Sequence, residues 1–230
     1  MSDTAISTGS NGRDSSVAHH SKHSSEVLVD KLVDAFVESN FHEDTREYLP
    51  EGIFKQLLAR EAVERELERI AECTEQGAFM RDYTYHQALT TWIAAEARRL
   101  FAIVLQCDLQ PNQAYLAMAS FHKHKYTDEK LPLLNPKESP PPKDVFLDNI
   151  WRTSKLRSFY KDQWAFQAPV FSDDQYDYNL QGNCTFPFTK SLTVSEGGAF
   201  STVLKVNIHG DHQKHRGVQA VSFQFATYGT

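Results

Sequence analysis

The sequence predicts a mainly α protein: an N-terminal helical bundle followed by a short antiparallel β segment. Three observations carry this. Apolar residues recur at helical spacing, with interruptions, from Val29 to Trp164. Within that span, Leu100, Phe101, Ile103, Val104 and Leu105 make one stretch apolar nearly all round, as in the central helix of a bundle. From Ser191 the period changes to strict alternation, which suits a half-buried strand.

At 230 residues and 26.2 kDa the chain is long enough for one sizeable core. Its 40% hydrophobic and 23% charged residues are those of a globular protein rather than a wholly disordered one. Thirty acidic against 24 basic residues leave a net charge of −6, which argues against a nucleic-acid partner, because neutralising phosphates needs excess Lys and Arg. No apolar run approaches the ~18 residues that cross a bilayer, so no membrane partner is expected. The first residues carry no secretory signal, and Cys73, Cys107 and Cys184 are too few and too far apart for a disulfide framework. The expected location is intracellular, most simply the cytoplasm.

Residues 1–25 hold eight serines and three histidines with only isolated apolar residues, so they are expected to form a disordered tail. His19, His20 and His23 lack the companion ligands of a metal site. The helical domain, 26–168, should open with a helix whose stripe is Val29, Leu32, Val33 and Phe36, broken at Asn40. Leu49-Pro50-Glu51 starts a second helix, with Pro at a helix start where its missing N–H is harmless. The stretch Glu61–Glu72 is a third, with Val63, Leu67 and Ile70 inward and a Glu61–Arg65 pair outward. Tyr83 to Cys107 is the central, most apolar stretch, ended by Asp108. Pro111 opens the next helix through Tyr115, Leu116 and Met118. Leu131-Pro132-Leu133 and Ser139-Pro140-Pro141-Pro142 form a surface connector, and helical periodicity resumes from Val145 to Trp164 with Ser154 as a cap. A linker, 169–190, precedes the β segment, 191–230. There, Leu192 and Val194 form one strand and Glu196-Gly197-Gly198 a turn. Val203–Ile208 forms a second strand, and Val221, Phe223 and Phe225 a third.

No metalloprotease, nucleophile-elbow or P-loop motif is present. His209-x-x-His212-x-x-His215 has metal-like spacing but sits in a polar stretch, and reads as a loop. No catalytic or metal-ligating residue is therefore assigned. The informative segment is Val194-Ser195-Glu196-Gly197-Gly198-Ala199-Phe200-Ser201-Thr202-Val203. It resembles the glycine-rich hairpin that opens a protein-kinase N-lobe, where small residues let backbone N–H groups approach ATP phosphates and a following Val packs on adenine. Glu196 stands where the first glycine belongs.

The order of Phe101-Ala102-Ile103-Val104-Leu105, Leu131-Pro132-Leu133, Phe159-Tyr160-Lys161-Asp162-Gln163-Trp164, Ala168-Pro169-Val170-Phe171, Phe186-Pro187-Phe188 and Asp211-His212-Gln213 resembles a family of fungal protein-kinase-like proteins. In these, a helical region precedes a Ser/Thr-type kinase domain. The resemblance implies ATP and Mg²⁺ as cofactors, with Gly197, Gly198, Ala199, Phe200, Ser201 and Val203 as the nucleotide-binding residues. It also shows a departure: Ala220-Val221-Ser222 holds Ser222 where the phosphate-binding Lys of the family belongs. No catalytic Asp or metal-binding Asp follows, so the chain is expected to be a truncated N-lobe, inactive by itself. Two other readings stand beside this one. The helical region could be an interaction or regulatory module with a protein partner, or the chain a pseudokinase that still holds nucleotide.

Overall fold

The computed structural model describes residues 27–41, 45–73, 82–134, 140–175, 178, 180–198, 201–214 and 221–226. For 190–198, 201–205 and 221–226 it describes the backbone. The expected tail, its three histidines and His215 lie outside the described residues, as do Ala199 and Phe200.

The described residues are mainly helical, with antiparallel strands. Helix α1 is Leu28–Asp34, and the two-residue strands β1, Val37–Glu38, and β2, Glu47–Tyr48, pair antiparallel. Then come α2 (Glu51–Leu57), α3 (Arg60–Glu72), α4 (Tyr83–Glu96), α5 (Arg98–Gln106), α6 (Pro111–Lys123) and α7 (Thr153–Asp162). A 3₁₀ turn, Gln163–Phe166, continues α7. Strands β3 (Phe188–Gly198), β4 (Ser201–Ile208) and β5 (Val221–Ala226) form an antiparallel sheet in that order. No helix among the described residues is long and apolar enough to cross a membrane.

Helix α5 is the centre of the bundle, with Leu100, Phe101, Ala102, Ile103 and Val104 all wholly buried. Around it close Leu67 and Ile70 of α3, Leu89 and Ile93 of α4, and Tyr115, Met118 and Phe121 of α6. The expected single helix from Tyr83 to Cys107 is two, because Ala97 leaves helical geometry at φ −140°. The freed start of α5 has no cap from its own sequence. Asp128, from the 3₁₀ turn Asp128–Lys130, supplies one by accepting from Arg99 N at 3.0 Å and Leu100 N at 2.9 Å. Burial pushes the Asp128 carboxyl above its ordinary range, and these backbone N–H groups pull against that.

Several local expectations are corrected. Helix α1 buries Leu28 and Leu32, while Val33 is exposed, so the inward stripe is rotated from the one expected. It ends at Asp34, well before Asn40, whose N–H donates to Phe188 O at 2.9 Å. Arg65 turns its Nε to the Glu61 main-chain oxygen at 3.2 Å. Residues 143–151 are turns, although Val145, Phe146, Ile150 and Trp151 are buried as a helix would have left them. Phe146 lies 5.1 Å from Phe121 and 5.4 Å from Trp151, ring centre to ring centre, closing one end of the bundle. Ser154 is inside α7, whose cap position is Arg152. The connector is strapped down by Gln163, whose side-chain oxygen accepts from Leu133 N at 2.7 Å and whose amide donates to Leu133 O at 2.9 Å. Strand β3 starts at Phe188, inside the expected linker, and continues through Gly198, where a turn was expected.

Candidate functional site

The glycine hairpin is built from backbone pairing. Gly197 pairs with Thr202 and Gly198 with Ser201, while Ala199 and Phe200 lie outside the described residues. The register shifts between Val194 and Gly197, and glycine tolerates such a bulge. Val203 pairs with Gln224 of β5, and Ser222 with Lys205. Gly197, Gly198, Ser201 and Val203 therefore share one end of the sheet.

The other end is anchored by residues 209–213, and here the sequence reading was incomplete. His209 N–H donates to Pro187 O at 2.8 Å as β4 ends, and the chain turns through Gly210–His212. Asp211 Oδ2 then accepts the Gly52 N–H at 3.1 Å, joining the anchor loop to the first turn of α2. A side chain on Gly52 would meet that carboxylate at 2.5 Å, so glycine leaves room for the contact. His212 Nδ1 donates to Pro169 O at 2.9 Å, while its backbone carbonyl accepts from Phe171 N at 2.8 Å. The Tyr48 ring stands edge-on to both histidines, 6.0 Å from His209 and 5.3 Å from His212.

The anchor is polar, with His212 buried while Gly210 and Asp211 are exposed. Tyr48 OH and His212 Nε2 are buried without a hydrogen-bond partner. Burial, with the Asp211 charge adding to it, pushes the Tyr48 phenol up to about 12. Burial holds the His212 imidazole below its ordinary value, outweighing the Pro169 carbonyl, so the ring is neutral with its proton on Nδ1. Beside it, Glu51 binds Arg99 at 2.9 Å and Lys55 at 3.3 Å. Arg99 also donates to Phe166 O at 2.8 Å and lies 5.1 Å over the Phe54 ring.

His209 and His212 point to structure rather than to a metal. Each turns Nδ1 to the backbone, and among the described residues no group of three or more His, Cys, Asp or Glu is placed to hold an ion. The strand across from β4 reads Val-Ser-Phe-Gln-Phe-Ala and offers no cation to a phosphate. Tyr48, Arg99, Asp128 and Gln163 were missed as positioning residues, since each acts through a partner distant in sequence. The one available signal was Arg99 itself, a cation at the start of the most apolar run. No family model, curated protein or solved structure matches the chain.

Proposed function

We infer that this chain is the leading, non-catalytic part of a protein-kinase-like architecture, in which a helical unit carries and orients an N-lobe-type glycine hairpin. The observation that supports it is the meander β3-β4-β5, with Gly197, Gly198, Ser201 and Val203 at one end and an anchor onto the bundle at the other. The hairpin supplies backbone groups to a phosphate, but β5 supplies no lysine. Each missing charge-assisted contact forfeits about 1.5–3 kcal/mol, enough to lift the Kd for nucleotide past ~1 mM when two are lost. The role of the helical unit in this reading is to hold the hairpin for a protein partner.

The test is phosphoryl transfer and thermal shift with Mg-ATP. The expected result is no transfer to casein or to the chain itself, and no stabilisation that depends on Gly198. Stabilisation by ATP that Gly198→Val abolishes would replace this reading with a nucleotide-holding pseudokinase.

A further inference from the structure

A cavity of about 630 Å³ opens beside α7, and none of its lining residues belongs to the glycine hairpin. That volume lies within the about 300–1,000 Å³ typical of small-ligand sites. Five separate stretches of chain form its wall: Phe36 after α1, the β2 region, the end of α5, the α7–3₁₀ segment and the stretch before β3. The α7 side presents Arg157, Tyr160, Lys161 and Trp164, at i, i+3, i+4 and i+7, so one helical face carries two cations interleaved with two aromatic rings.

Two features make this face unusual for a solvated surface. Arg157 and Lys161 are like charges at i, i+4, an arrangement that weakens a helix, and neither has a hydrogen-bond or ion-pair partner among the described residues. Opposite them, Arg46 extends its guanidinium to Gly182 O at 3.3 Å, bringing a third cation to the same cavity. The wall also holds two carboxylates. Asp162 is the more buried, and burial raises its pKa against the opposing charge of Lys161. Glu47 is exposed. A ligand that suits all of these has an anionic group for the cations, a planar ring for Trp164, and a few hydroxyl or amino donors for the carboxylates.

We propose that the cavity bounded by Arg46, Arg157, Lys161, Tyr160 and Trp164 binds a small phosphate monoester bearing an aromatic ring. The phosphate lies between Arg157 and Lys161, where it relieves their mutual repulsion, and guanidinium geometry suits its oxygens. The ring stacks on Trp164. Nucleoside monophosphates and phosphorylated phenols share this chemistry.

Tryptophan fluorescence reads the site directly. Of Trp92, Trp151 and Trp164, the first two are 9% and 4% exposed in the core, and Trp164 is half-buried in the cavity wall. Titration of the full chain with AMP should quench saturably with a Kd below about 1 mM. Phenyl phosphate should quench too, and its rank against AMP separates the two sources. Inorganic phosphate should compete without quenching. The double variant Arg157→Ala, Lys161→Ala removes two exposed side chains and should weaken AMP binding at least about tenfold. Dependence on Arg157 and Lys161, which lie outside the glycine hairpin, lets this result stand or fall separately from the kinase-like reading. Calorimetry on Trp164→Phe should still detect binding after the optical signal is lost. The proposal is overturned if wild type shows neither quenching nor heat with AMP. It is equally overturned if adenosine binds as tightly as AMP, or if the folded double variant binds as tightly as wild type.

Discussion

The helical bundle packs around the wholly buried residues 100–104 of α5, whereas in the anchor loop His212 is buried and Gly210 and Asp211 are exposed, and the two are held by opposite means. Around α5 the contacts are apolar and dense, so stability comes from area removed from water. At residues 209–213 it comes from a few hydrogen bonds to Gly52, Pro169, Phe171 and Pro187, with Tyr48 OH and His212 Nε2 left unsatisfied. An unsatisfied buried polar group costs about 1–3 kcal/mol. The bundle should therefore behave as the stable unit and the anchor as the weak, titratable joint between it and the sheet.

The largest effect that could break this contrast is in the core. Phe101→Ala should cost about 3–5 kcal/mol by cavity formation, measured by denaturant unfolding. A loss no larger than that of a surface change would mean α5 is not the centre. Residues 26–168 by themselves should still melt cooperatively, since the buried side chains around α5 come from within that span. A broad transition would show that the sheet is needed to close the core. Next in size is Asp128→Ala, which uncaps α5 from a distance and should cost about 1–2 kcal/mol. An effect below the noise would mean the first turn of α5 is solvated instead.

What the sequence made legible follows from range. Val63, Leu67 and Ile70 fell on one face of α3 because helical packing is periodic and local, and the Pro111 start of α6 was visible for the same reason. The break at Ala97 was invisible because its cap, Asp128, arrives from far along the chain. Val145 to Trp151 shows how periodicity misleads: burial alone gave it a helical spacing, and the chain meets that burial with turns. At the hairpin, alternation located the strands, but their ends are set by pairing partners. The glycines thus looked like a turn while β3 runs through both. The anchor was missed because its partners Tyr48, Gly52 and Pro169 lie far away in sequence, so His209 to His215 read only as a polar loop.

A smaller effect sharpens the joint. Burial lowers the His212 pKa in the fold from the ordinary histidine value of 6.5, so above that pH the ring is neutral in both states and the anchor has its full stability. As pH falls below 6.5 the unfolded ring takes a proton that the folded one refuses, and stability is lost down to the folded pKa. Asp128 and Asp162 titrate with the opposite sign, because burial raises their pKa and acid favours the fold. Comparing His212→Asn with wild type isolates the histidine: the variant should lose less melting temperature between neutral pH and mild acid. Equal slopes would contradict a buried neutral His212.

Native-state amide exchange with the Asp211→Ala variant tests the contrast most directly. Losing the Gly52–Asp211 bond should cost about 0.5–1 kcal/mol at the joint, speeding exchange in β4 near Val206 by roughly two- to fivefold. Exchange at Ile103 in α5 should not change, and in wild type Ile103 should be the better protected of the two. If Ile103 and Val206 are equally protected, or the variant speeds both by the same factor, bundle and sheet open as one unit and the contrast between them fails.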